Sequence, residues 1–435
     1  MSRKKRMTLL FITVFLLLCG CSGEKNSSGN TETLILGTLF EDSGLSERVA
    51  AFNSGNSNVQ IEIKNYMEGN EDIQDAVNMI RMEIVSGKGP DLVNFGMFYS
   101  ESAVSGGILE DLYGYMESDK EFKKDDYFEN VWKSFSTGGN LYVMIPDFHI
   151  TTFASCADEL SGRSGWDINA LMEYYEARPE ETILFPGETK IAVFGMICSG
   201  SISNYVNWSE GTCNFDSDGF QKLLTFADQF PLKLVFSEDE SVREKFENGQ
   251  ALLFPSSVSD VFDTTKVKML LGEKANFIGY PMDEGSGSIA EAGNIVVGIG
   301  KNCKNKQAAW QFVKSLTAED YQDTITGELP VRRASLDKQL KQAMQPEYLE
   351  DGSKKVKSEA LFEGEDPLAV YQITEEDAGQ LLSIIEAIKY NSAIDRTLHN
   401  ILLEEADIFF HGERSIKETA DIIQNRASLY LKEKI

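Results

Sequence analysis

Aromatic rings set beside carboxylates, amides and hydroxyls are the side chains here best suited to chemistry, and that pairing fits recognition rather than bond breaking. Phe40 and Glu41, with Asp42, follow the first predicted strand. Asn94 and Phe95 close another, with Tyr99 shortly after. Asp147, Phe148 and His149 come directly behind Pro146, Ser256 and Ser257 follow a strand ending at Phe254, and Tyr280 closes a further one. Trp208 sits in a polar, glycine-flanked loop, NYVNWSEG, where a buried indole is less expected. Such rings stack on apolar C–H surfaces, and carboxylates accept strong hydrogen bonds once water is excluded. Each position has a structural alternative: most aromatics build cores, and loop carboxylates are usually solvated. Asn94 equally suits a strand end. The candidates are therefore Phe40, Glu41, Asn94, Phe95, Asp147, Phe148, Trp208, Ser256 and Tyr280.

Motifs for covalent or cofactor chemistry are missing. Gly87-Lys88-Gly89 lacks the spacing of a phosphate loop, and Gly298–Gly300 is a lone short glycine pair in a strand. No Gly-x-Ser-x-Gly elbow or His-Glu-x-x-His occurs. The histidines His149, His399 and His411 do not pair at metal-ligand spacing. We therefore expect no cofactor, no metal and no catalysis. Cys156, Cys198, Cys213 and Cys303 show no CxxC spacing. They suit either exported disulfides, with Cys198 and Cys213 the closest pair, or buried free thiols.

One further cysteine has a different context. Arg3, Lys4, Lys5 and Arg6 precede an apolar run from Met7 to Leu18, then Cys19, the small residue Gly20 and Cys21. That order reads as an export signal over residues 1–20. The run is shorter than the roughly 20 apolar residues of a membrane span. The Leu18–Cys21 stretch (LCGC) resembles the lipobox of bacterial lipoproteins, in which the Cys21 thiol would carry a diacylglycerol anchor. Residues 21–31 then form a polar, Gly/Ser-rich tether.

The elements that must position the candidates read as α/β. Thr33–Phe40 suits a buried strand, Leu45–Phe52 a helix, and Val59–Tyr66 alternates as a second strand. Ile73, Val77, Ile80 and Ile84 share one helical face, Gly87 caps it, and Asp91–Phe95 makes a third strand. Strand–helix repetition of this kind implies parallel pairing. Leu141–Ile145 reads as a short strand stopped by Pro146. Asp167 begins a helix, Phe215–Phe230 is another, and Glu244–Phe254 passes from helix through Gly249 into a strand. Asn276–Tyr280 and Asn294–Ile299 are further strands, and Asn305–Leu316 an amphipathic helix. Capping boxes start the closing helices at Thr374 and Ser415. Of the 435 residues, the roughly 415 that follow the signal suggest two lobes, and the net charge of −28, about −32 without the signal, argues against nucleic acid. It leaves a cationic ligand open.

In order and content these segments resemble the bacterial extracellular solute-binding proteins, family 1, of sugar-importing ABC systems. Ser86–Val93 (SGKGPDLV), Gly107–Met116 (GILEDLYGYM), Gly165–Leu171 (GWDINAL) and Phe246–Phe254 are similar to that family's motifs. Gly279–Pro281, Asn305–Leu316, Leu329–Ala334 and Gly412–Tyr430 follow in the family's order, so the resemblance covers about residues 33–432. Phe148–Leu160 departs from it by lacking the common Tyr-Asn segment. The resemblance implies a two-lobed periplasmic-binding-protein-like fold (type II) with a hinge. It places lobe 1 at 32–146, lobe 2 at 147–285, a lobe 1 return at 286–330 and lobe 2 helices at 331–435. It implies a monomer that holds a carbohydrate between the lobes and passes it to ABC permease subunits, touching the membrane only through its lipid. An exported glycan-active hydrolase and a ligand-presenting module for a membrane sensor are the rival readings.

Overall fold

A computed structural model describes residues 31–434 except 41, 70–71, 105–106, 158–159, 161–165, 209, 235–240, 283–286, 362–365 and 393–394. The chain opens with β1 (Glu32–Thr38), β2 (Val59–Asn65) and β3 (Leu92–Asn94), joined by the helices Ser43–Gly55 and Ile73–Val85. β1 pairs in parallel with both β2 and β3, as the strand–helix alternation requires. Leu34 and Leu36 are buried on one face, and Val77, Ile80 and Ile84 bury the helix stripe that the spacing predicts. Gly37 is the point of closest approach, because a Cβ there would meet the Tyr66 ring and Pro90. Gly87 ends the helix at φ 75°, a left-handed value that favours glycine.

β4 (Asp147–Ser155) begins the second sheet. A small hairpin of β5 (Val206–Asn207) and β6 (Thr212–Cys213) follows, then β7 (Phe254–Val258), β8 (Asn276–Phe277) and β9 (Ser288–Ala292). β10 (Val297–Ile299) returns to the first sheet, giving it the order β10-β3-β1-β2. Next come β11 (Leu329–Pro330), the paired β12 (Ser358–Ala360) and β13 (Leu368–Val370), and β14 (Ile388–Asn391). The second sheet runs β11-β4-β9-β14, with β7 and β8 also on β4. Residues 288–292 of the expected return segment thus lie in the second sheet, and 297–299 lie in the first.

Two strand readings need correction. Leu141–Ile145 is not a strand apart from an isolated bridge between Met144 and Val297, and the strand begins behind Pro146. Proline has no N–H to give, but its carbonyl still accepts, here from Val331 N at 3.0 Å. The alternation of Phe148, Ile150 and Thr152 then carries β4 onward with those side chains buried. Similarly, β7 starts at Phe254 rather than ending there, so Ser256 lies inside a strand.

The chain crosses between the sheets along neighbouring paths. Pro146 leads into β4, while Gly293–Val296 links β9 back to β10. The two paths run antiparallel, with Met144 N to Val297 O at 2.8 Å, Val297 N to Met144 O at 3.1 Å and Gly293 N to Asp147 O at 3.2 Å. Gln322, wholly buried, braces a third passage. Its Nε2 donates to the carbonyls of Pro146 and Leu316, both at 2.8 Å, and its Oε1 accepts from Arg332 N at 2.9 Å. One hydrophobic core runs from the first sheet through these crossings to Phe148, Ile150, Ala290 and Leu329. A second gathers the helices around Phe194, Phe220, Leu402 and Ile423. The terminal capping boxes are in place: Thr374 Oγ1 accepts from Asp377 N at 3.1 Å, and Ser415 Oγ from Glu418 N at 3.3 Å.

Candidate functional site

The parallel strands β1 and β3 end on one edge of the first sheet, where ligands of open α/β sheets gather. β1 stops at Thr38, whose hydroxyl donates to Phe40 O at 2.9 Å and turns the chain. Asp42 then caps the helix Ser43–Gly55, accepting from Leu45 N at 2.7 Å. Opposite this helix start stand Asp147 at the head of β4, Asn294 and Ile295 of the second crossing, and residues 320–328. Together they enclose a cleft of about 610 Å³, room for a sugar-sized solute.

The cleft is acidic. Asp42, Glu47, Asp147, Asp320 and Glu328 line it beside the ring of Tyr321. Asp147 is only 7% exposed, and no hydrogen-bond donor among the described residues reaches its carboxylate. Burial first, then the charges of Glu328 and Asp42, push its pKa up to about 8, with His149 opposing. Gly293 makes room for the group, since a Cβ there would collide with Asp147 Oδ1.

Cations near the cleft are already engaged. Arg48 reaches Asp320 at 3.2 Å, donates to Ser315 Oγ at 3.2 Å and lies 5.4 Å from the Tyr321 ring centre. His149 stands between Glu328, 3.0 Å from Nδ1, and Glu291, 3.3 Å from Nε2. Burial opposes its charge, but the two carboxylates outweigh that and raise its pKa to about 10. The imidazolium in turn holds Glu291 below the usual carboxylate range, against burial.

Of the sequence candidates, Asp147 lines this cleft. Asn94 is fully buried and ties β3 to the second crossing, accepting from Val296 N at 2.7 Å and donating to Asn294 O at 3.3 Å. Phe95 and Phe148 are fully enclosed in the first core. Phe40 is half-buried, edge-on to Phe98 at 6.0 Å and pressed on Gly96. Ser256 is buried and donates to Phe254 O at 3.3 Å, and Tyr280 packs on Phe153 at 4.6 Å. Trp208 lies half-buried against the second core, behind β5. Glu41 and Cys21 lie outside the described residues, as do the signal and most of the tether. Sequence reasoning missed Glu47, Arg48, Tyr321 and Glu328. The available signal was their place in the sequence: Glu328 directly precedes Leu329–Ala334, and Glu47 sits five residues past Asp42.

Among the described residues no cluster of His, Cys, Asp and Glu suits a metal, and no helix is long and apolar enough to cross a membrane. Cys156, Cys198, Cys213 and Cys303 are free thiols.

The family model described as bacterial extracellular solute-binding protein matches residues 47–348. No curated protein sequence is significantly similar. The sugar-binding protein MalE from Xanthomonas citri superposes with TM-score 0.53 at 18% identity, over 92% of this chain and 98% of that one. A family 1 extracellular solute-binding protein from Alicyclobacillus acidocaldarius gives 0.52 at 13%, over 92% and 98%. An ABC substrate-binding protein from Listeria monocytogenes, in complex with cycloalternan, gives 0.50 at 13%, over 93% and 100%. At these identities the likeness is one of fold: two α/β lobes joined by a hinge.

Proposed function

We propose that this chain, which belongs to the bacterial extracellular solute-binding proteins, captures a carbohydrate between its lobes and delivers it to an ABC permease. The observation that carries this reading is the cleft at the strand ends, where Asp42, Asp147 and Glu328 stand beside the Tyr321 ring. Carboxylates accept from hydroxyls, and an aromatic face covers sugar C–H groups. The sugar-binding name of the Xanthomonas citri protein supports the ligand class.

Solute bridging both lobes favours the closed arrangement, because only then do both sides contribute contacts. A micromolar affinity, about 8 kcal/mol, suffices for capture followed by release. The protein makes and breaks no bond. Acting as a monomer, it is held at the outer face of the cell membrane by lipid on Cys21. A thermal-shift panel of mono- and oligosaccharides tests the reading: a cognate sugar raises the melting temperature by several degrees. Flat melting curves across the panel, or turnover of a glycan, would overturn it.

A further inference from the structure

We propose that the carbohydrate bound here carries a protonated amine, seated against Asp147, so that the ligand class is amino sugars rather than neutral ones. The inference rests on the reading that the cleft takes a carbohydrate, and deepens it.

The argument starts with Asp147 itself. Its carboxyl group lies on the cleft wall, is 7% exposed, and has no donor among the described residues. A buried carboxylate without a partner is costly, and a cleft wall is where an incoming group can supply one. Gly293 lets Oδ1 lie against the second crossing, in the place a Cβ would take.

The surroundings decide what that group is. From the helix Ser43–Gly55 and its cap, Glu47 and Asp42 face the cleft with Arg48; from 320–328 come Asp320, Tyr321 and Glu328. His149 adds a positive charge from β4, but it is claimed by Glu291 and Glu328, as Arg48 is by Asp320. A hydroxyl would give Asp147 a hydrogen bond and leave the excess negative charge in place. An ammonium gives the hydrogen bond and offsets the charge. A metal ion is disfavoured by the absence of a ligating cluster among the described residues.

Proton linkage provides a signature that packing alone lacks. Burial and the charges of Glu328 and Asp42 push the Asp147 carboxyl up to about 8, so the empty site holds a proton more readily than an ordinary carboxyl does. An ammonium beside it favours the carboxylate, so binding shifts that proton toward release.

The test is calorimetry on the purified full-length chain at pH 7, in buffers of different ionisation enthalpy. Probes are glucosamine, galactosamine and the β-1,4-glucosamine trimer, their N-acetylated counterparts, maltotriose and spermidine. We expect an amino sugar to bind at least tenfold tighter than its N-acetylated form, with proton release, and Asp147→Asn to abolish both the preference and the release. Equal or tighter binding of N-acetylated sugars or maltotriose overturns the amine and leaves the carbohydrate reading standing. An unchanged preference in Asp147→Asn removes Asp147 from it. Binding of spermidine with no sugar, or of no probe at all, overturns both readings.

Discussion

Glu328 accepts from the His149 imidazolium at 3.0 Å, binding the segment that enters β11 to the first strand of the second sheet. Because Glu291 of β9 holds the other ring nitrogen, one side chain joins three neighbouring strands beside the crossings. His149 therefore works as a clamp rather than a metal ligand.

Stability should register that clamp with a definite pH dependence. The folded pKa of about 10 exceeds the ordinary value of 6.5. The contribution is thus fully present below about pH 6.5 and fades as pH rises through about 10. His149→Gln should cost about 2 kcal/mol at pH 6 and little near pH 10. Urea melts at both values measure it, and a pH-independent difference contradicts the clamp.

Asp147 is raised as well, but because its charged form is disfavoured by burial and by neighbouring carboxylates. Its raised pKa means that the native state holds a proton the unfolded chain gives up above about pH 4. Stability of the ligand-free protein therefore falls as pH rises from about 4 to about 8. Asp147→Asn should be nearly neutral at pH 4 and stabilising by on the order of 2 kcal/mol at pH 8. Thermal melts followed by circular dichroism decide this; destabilisation at pH 8 would count against it.

Gly293→Ala places a methyl group where Asp147 Oδ1 sits. The carboxylate must turn away, and we expect solute affinity to fall at least tenfold while the fold is retained. Titration of the variant with any bound sugar, beside its melting curve, checks both halves.

Removing the Gln322 side chain leaves Arg332 N without its acceptor and takes a donor from Pro146. Gln322→Ala should cost about 2–4 kcal/mol, combining a buried unsatisfied group with a small cavity. Equilibrium denaturation reads the loss directly.

Cys21→Ser should release the protein from membranes in fractionated cells. Undiminished membrane retention would show that something other than lipid on Cys21 holds it there.

Much of the architecture was legible because it is local. The stripe Val77, Ile80, Ile84 and the boxes at Thr374 and Ser415 are written within a few residues of each other. The start of β4 was misread because Pro146 looks like a stop, whereas its carbonyl is used by Val331 and Gln322. The cleft was harder still. Asp147 was named at its edge, but Tyr321 and Glu328 reach it from far along the chain through a four-residue helix, Glu319–Gln322, too short to show a period. Asn94 and Phe95 illustrate the converse: residues at the right strand end, absorbed by the crossing and the core.

The paired crossings have a mechanical consequence. Met144 and Val297 are bonded on one side of the junction, and the Asp147 carbonyl and Gly293 N–H on the other. Two linkers stitched edge to edge behave as a single ribbon, compliant to bending across its width and stiff to shear along its length. Bending across that ribbon is therefore the easier deformation between the two halves, and sliding of one past the other the harder.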